Sequence, residues 1–154
     1  MAMSRTEKLS HYAVVVIAIS AVVVSVWQVK LAQTHNKLSV RPYMDFFSGW
    51  NSETEWQVTL SNEGVGPAIL KEIEFTYQGQ TYSNWDEVLT AADLNAYRIN
   101  STTFSKDSPF AVGKTMLFIK LNRSEDGLRQ RLGIDVKIKY ESIYEEPSEL
   151  NMSF

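Results

Sequence analysis

The chain of 154 residues has no cysteine and only two histidines, and both shortages limit the catalytic and metal sites that it could form. His11 and His35 lie in or beside an uncharged segment near the N-terminus, so the rest of the chain has no histidine for a Ser/His/Asp or Cys/His centre. Without cysteine or a histidine pair at ligand spacing, the usual zinc sites are excluded. We therefore expect a protein that is not an enzyme and has no catalytic residue, cofactor or metal ion.

Charged residues are missing from Leu9 to Val29, a run of 21 residues. At about 1.5 Å per residue, a helix of this length measures about 31 Å, which matches the hydrocarbon thickness of a bilayer. The run predicts a single transmembrane helix over residues 11–34, preceded by a short tail over residues 1–10. A cleaved signal peptide and a buried core segment are the alternatives. The run exceeds a signal-peptide core, and no A-x-A cleavage pattern follows it.

Residues near both ends of this segment favour a membrane interface. Tyr12 and Trp27 have amphipathic rings, and Lys30 can extend its ammonium group towards water, so we interpret the three as interface anchors. Two basic residues precede the segment and three follow it closely, so the positive-inside rule gives little preference. Because a short N-terminal tail usually stays in the cytoplasm, we favour an exported, periplasmic domain over a cytoplasmic one.

Small and polar residues recur at spacings of three and four along the apolar segment. Small side chains let helix backbones approach closely in lipid, and a glutamine amide gains from a partner on another helix. This face predicts homo-oligomerisation, with chance alignment of common residues as the alternative. Its members are Ala18, Ala21, Ser25 and Gln28.

The composition after the segment is that of a folded domain, which we place at residues 35–146, followed by a C-terminal tail over residues 147–154. From Asn36 onward the chain has 12 Lys and Arg against 17 Asp and Glu, a formal charge of −5. This balance disfavours nucleic acid and anionic lipid as the main partner of the domain. About 115 residues suffice for one hydrophobic core.

Apolar and polar residues alternate with a period of two in several parts of this domain, which indicates strands with one buried face. A QGQ turn after one of them predicts a hairpin. Six or seven such strands predict a mainly β fold, an antiparallel immunoglobulin-like sandwich after one transmembrane helix. The strand candidates are residues 39–47, 55–62, 72–77, 81–82, 97–104, 115–121 and 134–140.

Two short helical insertions are predicted at residues 84–95 and 124–132. Asn84 and Glu87 have the spacing of a capping box, and Gly133 follows the second insertion. The carboxylate pairs Asp86/Glu87 and Glu125/Asp126 fall in helix first turns, where negative charge is favourable, so we interpret them as caps. A further acidic trio near the C-terminus is assigned to the tail in preference to a calcium site. Its members are Glu145, Glu146 and Glu149.

Three residues are candidates for a partner or ligand surface: Trp50, Gly64 and Gly66. Trp50 lies in a GWNSE turn, whereas Trp56 and Phe46 are predicted to enter the core. The NEGVGPA loop around the two glycines exposes backbone N–H groups that could hold an anion. The alternative, which we favour, is a tight loop whose glycines adopt positive φ.

Three patterns together resemble a group of small uncharacterised bacterial membrane-anchored proteins with a sandwich-like domain. They are HNKLSVRP at residues 35–42, LSNEGVGPA at residues 60–68 and YESIYEEP at residues 140–147. In that group the last pattern more often reads Y-x-S-x-Y-G-E, and here Glu145 occupies the glycine position. The resemblance implies the bacterial inner membrane as location and no particular activity.

The sequence therefore predicts a membrane-anchored, non-catalytic binding or assembly protein. Its expected partners are membrane lipid and either another protein or copies of itself. One alternative is a membrane effector or sensor of antiphage defence, whose domain binds a cyclic nucleotide. A second alternative is a carboxylate-dependent hydrolase. The cations available to a nucleotide site are Arg98, Lys114, Arg129 and Arg131.

Overall fold

The computed structural model describes residues 5–122 and 132–154. The chain divides between Ser39 and Val40 into two compact units, a helical one and a β-rich one.

Helix α1, Arg5–Leu38, makes up the first unit. The stretch Leu9–Leu38 is long and apolar enough to cross a membrane: its most apolar 18 residues have a mean hydropathy of 2.3, and none of those residues is buried in the protein. The predicted helix is confirmed, and it extends beyond residues 11–34 at both ends. No glycine or proline occurs before Pro42, so nothing in the sequence stops the helix at residue 34.

The second unit contains nine described strands and one short α-helix. A single 3-10 turn, Asn95–Tyr97, precedes the fifth strand. In chain order the elements are β1 Met44–Trp50, β2 Glu55–Asn62, β3 Ala68–Tyr77, β4 Gln80–Tyr82, α2 Trp85–Ala91, β5 Arg98–Ser101, β6 Ser108–Phe110, β7 Thr115–Asn122, β8 Ile134–Glu141 and β9 Pro147–Ser153.

These strands form two antiparallel sheets, and the predicted sandwich is confirmed. One sheet has the order β1-β2-β7-β5. The other has the order β4-β3-β8-β9, with β6 pairing to β3 as well. The predicted hairpin joins β3 to β4 through Gln78 and Gly79, whose φ angles of 49° and 79° suit a type I′ turn.

Aromatic rings from both sheets meet around Phe118, which is fully buried on β7. Its ring centroid lies 5.1 Å from that of Phe46 on β1, 6.2 Å from that of Phe75 on β3 and 5.1 Å from that of Trp85 on α2. Aromatic rings prefer such tilted and offset contacts. Phe118 therefore links the two sheets and α2 in one core.

In two strands, the alternation of buried and exposed side chains shifts by one residue at a bulge. In β3 the buried side chains are Ala68 and Leu70 before the irregularity and Phe75 after it. In β7 the register shifts opposite Val58, and consecutive residues Phe118 and Ile119 are both buried. A bulge adds one residue to one strand, so the side chains after it change face. The apolar character of β7 on both faces predicted a central strand, which its place between β2 and β5 confirms.

The first helical insertion begins at the predicted Asn84 cap, and Glu87 completes a variant of the capping box by accepting from the residue before the cap. Glu87 N–H donates to Asn84 Oδ1 at 2.9 Å, and Glu87 Oε2 accepts from Ser83 N–H at 3.1 Å. Trp85 and Leu89 turn into the core, which attaches α2 to the sandwich. The second predicted insertion, residues 124–132, and its pair Glu125/Asp126 lie outside the described residues, apart from Leu132.

The predicted C-terminal tail was wrong, because residues 147–153 form edge strand β9 along β8. Phe154 is buried, with its ring centroid 5.6 Å from Trp56 and 6.1 Å from Trp85. Leu150 and Met152 alternate with polar residues and pack against the core. The final residues therefore have the period-two pattern of a strand, and burial of Phe154 fixes their end.

Candidate functional site

Four chain segments meet at one end of the sandwich, which we call the entry end because the β-unit begins there. They are residues 40–43, 63–67, 111–114 and 142–146. Strand pairing brings them together, since Met44 lies opposite Asn62, Ala68 opposite Phe110 and Glu141 opposite Pro147.

Asn62 is the fully buried centre of the entry end. Its Nδ2 donates to the carbonyls of Gly66 at 2.9 Å and Phe110 at 3.2 Å. Its Oδ1 accepts from the N–H groups of Tyr43 at 3.2 Å and Gly64 at 3.0 Å. An amide has two donors and two acceptor positions, so every one is used. The sequence did not identify Asn62 as important, because an asparagine before a glycine-containing loop can have many roles.

Gly64 and Gly66 allow two backbone segments to approach each other. A Cβ at Gly66 would lie 1.7 Å from the Val40 carbonyl oxygen, and one at Gly64 would lie 2.2 Å from the Tyr43 nitrogen. Neither glycine has positive φ, so that part of the prediction was wrong. The space between the segments, and not a left-handed backbone, requires glycine here.

The same loop offers little to an anion. Its N–H groups at Glu63, Gly64 and Val65 already donate to Tyr43 O, Asn62 Oδ1 and Arg41 O. An anion-binding loop requires N–H groups directed at the ligand. The geometry therefore favours a structural role for this loop.

The YESIYEEP segment forms a tight corner at the entry end. Ser142 is buried, and its Oγ accepts from the N–H groups of Tyr144 at 3.2 Å and Glu146 at 3.3 Å. Glu145 has φ of 60°, in the left-handed region that favours glycine. This conformation gives a physical reason for a glycine at that position in the pattern Y-x-S-x-Y-G-E.

The aromatic residues of β1 and β2 divide between core and surface. Trp56 is buried, and Phe46 is half-buried against Phe118, which fits the core predicted for both. Trp50 ends β1 opposite Trp56 with its side chain about half exposed. As a partner surface Trp50 remains a prediction, and Phe47 adds a second exposed ring on the same edge strand.

Several of the described carboxylates take part in surface ion pairs or in a helix cap. Glu55 pairs with Lys120 at 2.7 Å, and this bond holds the pKa of Glu55 below its usual value. Lys139 bonds Glu72 at 2.8 Å, which lowers the pKa of that carboxyl and raises the pKa of the lysine. The Ser83 N–H lowers the pKa of Glu87. A general acid needs a raised pKa, so these arrangements do not suit one.

The described carboxylates also show no arrangement for a metal. Among residues 5–122 and 132–154, no three His, Asp or Glu side chains converge as a metal site would require. Of the acidic trio near the C-terminus, Glu149 pairs with Lys137 at 2.9 Å across the β8–β9 ladder.

A cavity of about 150 Å³ lies beside β3, in the gap between its pairing with β6 and its pairing with β4. Ile73 and Phe75 line one side, and the segment 102–106 lines the other. At its rim, Lys71 is held by Asp107 at 2.9 Å and Glu141 at 3.2 Å. The cavity has room for a ring-sized molecule.

The two described cations considered for a nucleotide site, Arg98 and Lys114, do not converge within one domain. Arg98 lies opposite Leu121, near the end of β7, and pairs with Asp86. Lys114 lies just before the start of β7, with its ammonium 5.2 Å from the Phe110 ring centre. The length of β7 therefore separates the two, while Arg129 and Arg131 lie outside the described residues.

The predicted helix residues all have exposed positions on α1. Tyr12 and Trp27 are exposed near the two ends of the uncharged run, and Lys30 follows them. On the small-residue face, the Ser25 hydroxyl donates to the Ala21 carbonyl at 2.8 Å. Because this hydroxyl is bonded within the helix, the Gln28 amide is the main polar group that the face presents to a neighbouring helix. Ala18 lies on the same face.

Comparison with known proteins gave no relative from which a role could be transferred: no protein-family model matches the chain, and no curated protein matches it.

Proposed function

We propose that the protein is a membrane-anchored, non-catalytic binding and assembly protein that presents its β-sandwich at the membrane surface. The observation that carries this proposal is the uncovered apolar surface of α1. Side chains such as Val16, Ile17 and Val23 are more than 60% exposed, and no residue of the stretch Leu9–Leu38 is buried. Such a surface is far larger than the apolar patches of soluble monomers, and lipid is the solvent that would cover it.

The β-unit supports the binding part of the proposal. All residues of its core cluster lie from Met44 onward, and none of them belongs to α1. Several of the described carboxylates form ion pairs or a helix cap, as at Glu72 and Glu87. These features favour recognition over catalysis.

Assembly would use the helix face with Ala18, Ala21, Ser25 and Gln28. Small residues permit close contact between helices, and a Gln28 amide in lipid is satisfied by the same residue of another copy. The variant Ala21→Leu with Ser25→Leu should reduce crosslinked dimers and higher species in detergent severalfold. Val22→Leu with Val26→Leu is the matched control on another face. An unchanged ladder would mean that this face does not mediate assembly.

The side of the membrane is tested by a reporter joined to Phe154 through a flexible linker. With the N-terminus in the cytoplasm of a bacterium, alkaline phosphatase should be active and a fluorescent protein that folds only in the cytoplasm should stay dark. The opposite pair of results would contradict the periplasmic placement. Such results would also favour the alternative function, a cytoplasmic domain that senses a nucleotide.

A further inference from the structure

We propose that the entry end of the sandwich rests in the headgroup layer of the bilayer through apolar side chains at its loop tips. This proposal depends on the membrane anchoring proposed above. We call the residues concerned the tip residues: Tyr43, Val65, Val112, Ile143 and Tyr144.

The tip residues are exposed to an extent unusual for their type. Their exposed fractions are 61%, 65%, 50%, 49% and 45% in chain order. Within the described β-unit, only Phe47, Trp50 and Ile99 are other large apolar residues with comparable exposure, and they are spread over β1 and β5. The entry end therefore concentrates the exposed apolar surface of the sandwich, which is typical of an interaction site.

The loops that carry these residues are fixed to one another. Val65 N–H donates to Arg41 O at 3.1 Å, and Gly113 N–H donates to Asn62 O at 2.9 Å. Ser142 N–H donates to Glu146 O at 3.1 Å and closes the corner below Ile143 and Tyr144. A preorganised surface loses little conformational freedom on contact, so a few side chains suffice.

Chain connectivity identifies lipid as the occupant. The β-unit starts eleven residues after Val29, and most of these are helical, so the entry end can lie at most about 20 Å from the hydrocarbon edge. Linkage to the span makes contact with the bilayer intramolecular, and even a weak affinity then gives high occupancy. Tyrosine rings with a polar tip are suited to the headgroup layer.

Charge at the entry end excludes electrostatic attraction as the main cause. Its four segments contain Arg41 and Lys114 against Glu63, Glu145 and Glu146, a formal charge of −1. Anionic lipids attract clusters of basic residues, and no such cluster is present in these segments. The contact should therefore be equally strong with zwitterionic and anionic vesicles.

The absence of native cysteine allows a direct test on the full chain. Single cysteines at Val65, Val112, Ser52 and Val22 are labelled with an environment-sensitive fluorophore. Each variant is reconstituted in phosphatidylcholine vesicles that contain spin-labelled lipid. Ser52, in the β1–β2 turn at the other end of the sandwich, is the control for the domain, and Val22 reports whether α1 is inserted.

We expect quenching at Val65 and Val112 to exceed that at Ser52 by at least about threefold, as for groups held about 5–10 Å into the interface. Replacing a third of the lipid by phosphatidylglycerol should not change the ratio. Strong quenching at Val22 with equal, weak quenching at Val65, Val112 and Ser52 would overturn the proposal and leave the anchoring intact. Absence of quenching at Val22 would overturn both proposals.

A second variant tests whether the tip residues hold the contact. With the fluorophore at Ile143→Cys, adding Val65→Asp and Val112→Asp should lower quenching to the Ser52 level. Ile99→Asp is the matched control on β5 and should leave quenching unchanged, with folding of both variants checked by near-ultraviolet circular dichroism. Equal quenching in both backgrounds would overturn the proposal. Crosslinking between copies of the Val65→Cys variant in place of lipid quenching would also overturn it, in favour of a second copy as occupant.

Discussion

Valine has opposite surroundings in the two units of this protein. In the sandwich Val58 and Val136 are at most 1% exposed, whereas in α1 Val14 and Val22 are each 63% exposed. Burial of apolar surface drives folding in water, so the sandwich can form a core from its own side chains but α1 alone cannot. The comparison teaches that the same side chain is buried in one unit and exposed in the other, so substitutions in the two units should have different consequences.

The largest effect is expected from charge in α1. Val15→Asp with Val22→Asp places two carboxylates near the middle of the helix, at a cost of roughly 2.5 to 3.5 kcal/mol each for insertion. The protein should move from the membrane pellet to the soluble or aggregated fraction after cell lysis. The near-ultraviolet circular dichroism of the sandwich should not change.

Val15→Leu with Val22→Leu is the control for this pair and should remain in the pellet after alkaline carbonate washing. Retention of the aspartate variant in the washed pellet would contradict the view of α1 as the anchor.

The next largest effect is expected in the core. Phe118→Ala removes the ring that links both sheets and α2, and such changes cost about 3 to 5 kcal/mol of unfolding free energy. Phe47→Ala, at a half-exposed ring on edge strand β1, should cost about 1 kcal/mol or less. Denaturant unfolding followed by tryptophan fluorescence in detergent measures both, and membrane association should be the same. Equal losses would contradict the central position of Phe118.

A smaller effect should separate two glycines of the sandwich. Gly66→Ala places a Cβ against the Val40 carbonyl, and overpacking of this kind costs about 1 to 3 kcal/mol. Gly49→Ala meets no atom within 4 Å and should change stability by about 0.5 kcal/mol or less. The same unfolding measurement applies. A tolerated Gly66→Ala would contradict the close approach of the two segments.

The smallest effect is a gain. Glu145 has a left-handed backbone, which costs a residue other than glycine about 1 to 2 kcal/mol, and Glu145→Gly removes this cost. Part of the gain in stability is lost, because glycine also makes the unfolded chain more flexible. We expect a net gain of about 0.5 kcal/mol and a rise in midpoint temperature of about 2 °C. Glu53→Gly, where φ is not positive, should instead be neutral or destabilising. A loss of stability in Glu145→Gly would contradict this account of the corner.

The sequence predicted the parts of the fold that depend on local periodicity. The alternation through β8 and the uncharged run in α1 both correspond to elements of the structure, and the Asn84/Glu87 spacing corresponds to a variant of the capping box. These patterns are set by the 2.0 and 3.6 residue repeats of strand and helix, so they can be seen in one segment alone. The bulge in β3 interrupts the alternation of buried and exposed residues, so the predicted strand did not include the inward-facing Ala68 and Leu70.

Features that depend on distant segments could not be predicted in this way. The four hydrogen bonds of Asn62 involve residues up to 48 positions away, and the need for Gly66 depends on the path of Val40. The strand over residues 147–153 had the right alternation, but a starting proline and its position at the end of the chain favoured a tail. The tip residues also belong to loops that are far apart in sequence, so their concentration at one end is a property of the fold.

The hydrogen bonds of Asn62 have a mechanical consequence. Tension applied to the chain at Ser39 reaches the sandwich through residues 40–43, which are bonded to Asn62, Glu63 and Val65. Beyond them β1 runs antiparallel to β2 over seven paired positions. A pull along this strand loads those pairs in shear, so they resist together and do not open one after another. The start of the sandwich, from residue 40 through β1, is thus bonded in a way that resists tension along the chain.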